Sequence, residues 1–269
     1  MSRRSGPLRV AVLVSATGAN LRTLLALQAV EPALLDVCLV ASHAPNVAAL
    51  RVAAAAGIQT WPGDFDSRCG LRSTMATADD LRGYRARGRQ WHDDLNAKLA
   101  EWESHNGFID LIVLAYHRLI EGDLLTRFAG RMINMHPGDL SILGDDGARL
   151  LIGRSPVQRA FDLGHRETRT SCFLVDDSVD GGPVLCLGPP VPRRAGRSAQ
   201  AHEAEQKVVS DPPALVWSVR ALAERRISLA DTRNPDGSRV VELDGIACLL
   251  GGVRLDAAEP DQQPAVVAR

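Results

Sequence analysis

The chain has 269 residues, 45% of them hydrophobic, and a formal net charge of −1. That suits a globular protein that buries its core without disulfides or a structural metal, and it gives no sign of a nucleic-acid or anionic-membrane surface. The five cysteines (Cys38, Cys69, Cys172, Cys186 and Cys248) contain no CxxC pair, so neither a zinc site nor a disulfide framework is expected, and no apolar run reaches membrane-spanning length.

Leu8–Val14 is a β-branched run ended by a glycine turn, and it reads as a buried parallel strand. The run is too short and its flank is wrong for a cleaved signal, so the cytoplasm is the expected compartment. Asn20 is expected to cap a helix whose stripe is Leu21, Leu24, Leu25 and Leu27. Leu34–Ser42 is the next strand, Val47–Ala56 an Ala-rich helix stopped by Gly57, and Ile58–Trp61 a third strand. This alternation predicts an α/β fold with an open parallel sheet. Residues Cys69–Gly107 read as an insertion: a polar, irregular run over Ser73–Arg89, then a helix over Trp91–Glu103. Phe108–Tyr116 is almost wholly apolar and is expected at the sheet centre, followed by a short helix over Leu124–Phe128.

Arg131–Leu140 reads as a strand breaking into a turn at Pro137-Gly138, and Ser155–Leu163 as a helix. Thr170–Val191 gives two strands around Asp180-Gly181-Gly182. Ala199–Arg226 has a long helical pattern with a break near Pro212-Pro213, and Arg239–Arg254 holds two short strands. Residues Asp256–Arg269 are polar and Ala/Pro/Gln-rich, which predicts a disordered tail after a single domain over residues 1–255.

Four motifs could carry chemistry. Ser15–Asn20 lies between a strand and a helix, where free N–H groups attract anions, although a plain β–α turn explains it as well. Asn134 and His136 sit on one side of a strand end, where an amide can meet an oxyanion and an imidazole can carry a proton. Asp180 stands in an Asp-Gly turn and could orient a histidine, or simply make a hairpin. Arg68, in Phe65-Asp66-Ser67-Arg68, could bind a carboxylate or phosphate from a loop, or lie solvated.

In order, VLVSATGANL, AAGIQT, FDSR, DLIVLAYHRLI, INMHPGDL and VDGGPVL resemble the formyltransferase family over Arg9 to Leu255. The resemblance implies a Rossmann-like, mostly parallel sheet with helices on both faces. It implies 10-formyltetrahydrofolate as co-substrate, no metal, and a catalytic set at Asn134, His136 and Asp180. It places folate contacts at Arg68, His117, Arg118, Leu119, Ile120, Val175, Asp176 and Asp177, and acceptor contacts at Gly18, Ala19 and Asn20. The chain departs from the family pattern in several places, among them the insertion Cys69–Gly107 and extra residues after Leu140, which have no counterpart in the short members. Ala19 stands for the usual serine, Leu114-Ala115-Tyr116-His117 is one residue short, Phe173 stands where a histidine is usual, and the acceptor-binding Lys and Glu are not recoverable around His202–Lys207. The implied activity is formyl transfer to a small-molecule amine, either glycinamide ribonucleotide of purine synthesis or an amine of a specialised pathway. The alternatives are hydrolysis of 10-formyltetrahydrofolate and non-catalytic folate binding. No nucleic-acid or membrane partner is expected, and a homodimer is left open.

Overall fold

A computed structural model describes residues 6–256, so all of the expected tail except Asp256 lies outside the described residues. Two compact units divide the chain, Met1–Met132 and Ile133–Arg269. Among the described residues, no helix is long and apolar enough to cross a membrane.

The first unit runs β1 (Leu8–Val14), α1 (Ala19–Val30), β2 (Leu35–Ser42), α2 (Ala48–Ala55), β3 (Gln59–Trp61), α3 (Phe65–Cys69), a 3₁₀ turn (Arg72–Thr74), α4 (Ala78–Asn106), β4 (Leu111–Ala115) and α5 (Asp123–Arg127). Its strands lie in the order β4-β1-β2-β3, all parallel. Val10 to Val14 are fully buried, which is why β1 is apolar at successive positions instead of alternating. Leu21, Leu24 and Leu27 form the buried stripe of α1. Gly18, in a left-handed conformation, is the residue before this helix, so Asn20 sits inside the first turn and caps nothing.

The expected irregular run is not irregular. Ser73–Arg89 feeds into α4, one helix of 29 residues. Its start is a capping box: Thr77 Oγ1 accepts from the Asp80 N–H, and Asp80 Oδ2 accepts from the Thr77 N–H. Arg and Ala recur through the run and are strong helix formers. Gly83 and Gly88 disguised it.

The second unit holds β5 (Met132–His136), α6 (Pro156–Asp162), β6 (Glu167–Thr168), β7 (Ser171–Leu174), β8 (Val184–Leu187), β9 (Val191–Pro192), α7 (Ala199–Val209), α8 (Asp211–Ala223), β10 (Ile227–Arg233), β11 (Arg239–Leu243), β12 (Ile246–Ala247) and β13 (Val253–Arg254). β7 pairs antiparallel with both β5 and β8, and β13 runs parallel to β8. β6 pairs with β9, and β10, β11 and β12 form a separate antiparallel sheet. The helical pattern breaks at Ser210, and the two prolines fall in the first turn of α8, where a missing N–H costs nothing. Arg239–Arg254 contains three short strands where two were expected, and β10 was not foreseen.

Candidate active site

Strand β5 ends on the polar pair. Asn134 pairs in register with Phe173 and His136 with Ser171. The Asn134 side chain is half-buried at the end of β5. His136 is 5% exposed. Its Nε2 donates to the Leu151 carbonyl at 2.6 Å, and its Nδ1 lies 3.5 Å from Asp180 Oδ2. A carbonyl only accepts, so Nε2 carries a hydrogen and Nδ1 is the nitrogen turned to the carboxylate. Glycine at 138 permits this arrangement. A Cβ there would stand 2.9 Å from His136 Nε2 and would also strike the Leu151 carbonyl.

Asp180 comes from the loop between β7 and β8. Its backbone is left-handed, with φ +53°, unusual for a residue other than glycine. Its Oδ2 also accepts the Gly153 N–H at 2.8 Å. One carboxylate oxygen therefore faces both the imidazole and a backbone donor. Leu151 and Gly153 contribute only backbone atoms, so no side-chain signal in the sequence could have marked them. Phe173, where a histidine is usual in the family pattern, is buried against Leu140, Val184 and Leu187 in an apolar cluster that Val175 extends. Asp176 turns inward on its own loop and accepts from the Ser178 N–H and hydroxyl, while Asp177 is exposed.

In the first unit, Gly18 is buried, Ala19 is exposed and Asn20 is half-buried at the start of α1, whose first N–H groups have no side-chain cap. The Ser15 hydroxyl accepts the His117 N–H at 2.7 Å and meets His43 Nε2 at 2.8 Å, which ties the first loop to the end of β4. Arg118 donates to Asp66 at 2.7 Å and lies over the Phe65 ring. Leu119 is 49% exposed and Ile120 is buried.

Arg68 lies on α3 and not in a loop, and its guanidinium pairs with Asp94 at 2.5 Å. It borders a pocket of about 150 Å³ walled by Trp61, Trp91 and Tyr116, with Lys98 over the Trp61 ring. Beside it, burial and the nearby Arg118 charge push His43 down to about 4. Burial also pushes His92 down to about 4, against the pull of Asp93. Both rings are therefore neutral near pH 7.

Residues 8–189 match the family model for formyl transferases. The phosphoribosylglycinamide formyltransferase of Haemophilus influenzae is 30% identical over 126 residues, which cover 46% of this chain and 54% of that one. The formyltetrahydrofolate deformylase 2 of Arabidopsis thaliana is 32% identical over 77 residues, 28% of this chain and 21% of that one. The matched segments thus span about half or less of these curated relatives. Among solved structures, the phosphoribosylglycinamide formyltransferase of Coxiella burnetii superposes with a TM-score of 0.67 at 21% identity, covering 92% of this chain and 99% of that one. A Pseudomonas putida formyltetrahydrofolate deformylase gives 0.62 at 18% identity, covering 90% and 72%. These likenesses establish the Rossmann-like, mostly parallel α/β fold. With the family model matched over residues 8–189, the chain belongs to the formyl transferase family.

Proposed function

We propose that the chain transfers a formyl group from 10-formyltetrahydrofolate to a small-molecule amine, at Asn134, His136 and Asp180. One observation carries this reading: an imidazole that faces a carboxylate, on the same strand face as the Asn134 amide. The amine nitrogen attacks the formyl carbon and a tetrahedral oxyanion forms. The Asn134 carboxamide supplies an N–H donor to that oxygen. His136 supplies its Nε2–H, for which the incoming oxygen competes with the Leu151 carbonyl. Asp180 holds the Nδ1 edge and accepts a proton from the new ammonium. The C–N10 bond then breaks, and N10 of the departing folate takes the proton.

The first unit offers groups suited to anionic substrates. Lys98 and Arg68, the latter paired with Asp94 on the same wall, edge a tryptophan-walled pocket at which a carboxylate-bearing ligand such as a folate would compete with Asp94 for the guanidinium. The uncapped start of α1 suits an anionic acceptor such as glycinamide ribonucleotide. Ala19 gives that acceptor no hydroxyl, which favours an amine from a specialised pathway. Both substrates are small and water-soluble, consistent with a cytoplasmic enzyme.

The test is incubation with 10-formyltetrahydrofolate and a panel of amines that includes glycinamide ribonucleotide, following folate absorbance and formate. Amine-dependent formation of tetrahydrofolate is the expected result. Formate release without any amine would replace the reading with hydrolysis. Folate binding without turnover would reduce it to a binding protein.

A further inference from the structure

Asp180 adopts a left-handed backbone conformation, and a buried arginine meets the chain at that turn. Arg149 is buried in the second unit. Its Nη1 donates to the Asp180 carbonyl at 2.5 Å and its Nη2 to the Gly182 carbonyl at 2.9 Å. Its Nε donates to Asp236 Oδ2 at 2.7 Å, and the two side chains are 3% and 2% exposed. Asp236 lies in the turn between β10 and β11. Its other oxygen accepts from the Ser238 N–H at 3.0 Å and from the Ser238 hydroxyl at 2.7 Å. Burial opposes its charge, and the hydrogen bonds from Ser238 and Arg149 outweigh it, so the Asp236 carboxyl lies below its ordinary range.

A non-glycine residue at positive φ is disfavoured and persists only where its surroundings impose it. The flanking chain is tightly confined: a Cβ at Gly182 would overlap the Leu174 carbonyl. A planar guanidinium can bind two carbonyls and a carboxylate at once, whereas an ammonium has no such fixed fork. We propose that Arg149 is a positioning residue for Asp180: it clamps the Asp180–Gly182 backbone and is itself locked by Asp236 on the β10–β11 turn. The hairpin thereby joins the machinery of the site without touching substrate. This inference rests on Asp180 serving catalysis as proposed above.

Removing Arg149 alone strands a buried carboxylate and threatens folding. The informative variant is therefore the double substitution Arg149→Met with Asp236→Asn, which removes both charges. Arg149→Lys and Asp180→Asn are measured beside it. The double variant should melt cooperatively, lose on the order of 10²-fold in kcat and keep KM for both substrates within about threefold. Arg149→Lys should recover part of that loss. Independently of turnover, amide exchange at Gly153, whose N–H reports the Asp180 carboxylate, should speed up at least about tenfold in the double variant. Full kcat and unchanged Gly153 exchange in the folded double variant, with Asp180→Asn inactive, would overturn the clamp alone. Full activity of Asp180→Asn would instead overturn the catalytic reading beneath it.

Discussion

His92 tests the energetics of the first unit directly. It sits on α4, is 1% exposed, and packs near Phe65 and Tyr116, with no hydrogen-bond partner at either ring nitrogen among the described residues. Burial pushes it down to about 4 from an unfolded value of 6.5. Between those values the folded state binds fewer protons than the unfolded one, so stability falls as pH drops through 6.5 toward 4. At pH 5 that difference amounts to about 2 kcal/mol relative to pH 8. Replacing His92 with Leu also removes an unpaired buried donor and acceptor, worth about 1–3 kcal/mol, against about 1 kcal/mol for imperfect repacking. His92→Leu should therefore melt slightly above the wild type at pH 8 and about 4–8 °C further above it at pH 5. His43, shifted the same way, remains in the variant and keeps some acid sensitivity. Calorimetry of both proteins across pH 5–8 decides the matter. Parallel Tm–pH curves would refute the claim that this imidazole is buried neutral and unpaired.

Three other outcomes are expected. Asn134→Ala should cut kcat on the order of 10²–10³-fold with little change in melting, since its side chain is only half-buried. Burial raises Asp211 to about 6, against the Thr170 hydroxyl bond, so its contribution is present below pH 4 and lost as pH rises through 6. Asp211→Asn should thus gain stability over wild type across that window, up to about 3 kcal/mol by denaturant titration. Thr77→Ala removes half of the capping box of α4 and should cost about 1 kcal/mol, visible as faster amide exchange in its first turn.

Much of the architecture was legible because burial on both faces leaves a plain mark. Leu8–Val14 was read to the residue, since such strands cannot alternate with polar side chains. Alternation at a strand end singles out Asn134 and His136 as candidates, whereas the Asp180 turn reads as readily as a plain hairpin and joins them only through the family resemblance. The α4 extension was missed because its polar composition and two glycines obscure a helix fixed by its cap and by packing further along. The supports of the site were invisible for another reason. Leu151 and Gly153 act through backbone atoms, and Arg149 meets Asp236 across 87 residues of sequence. No local pattern encodes a contact of that span.

The continuous α4 also changes how this element can vary in length. Near its far end, Trp102 donates to Gln59 and Glu103 pairs with Arg127, while Trp91 and Tyr84 upstream meet Phe65. Both stretches must face fixed neighbours, so the helix behaves like a keyed shaft. Excising one residue between them would turn everything upstream by about 100°, swinging Trp91 and Tyr84 away from Phe65. Excising seven would restore the facing to within about 20°. Natural or engineered shortening of this segment should therefore come in steps of whole turns, unlike the arbitrary trimming that a loop tolerates.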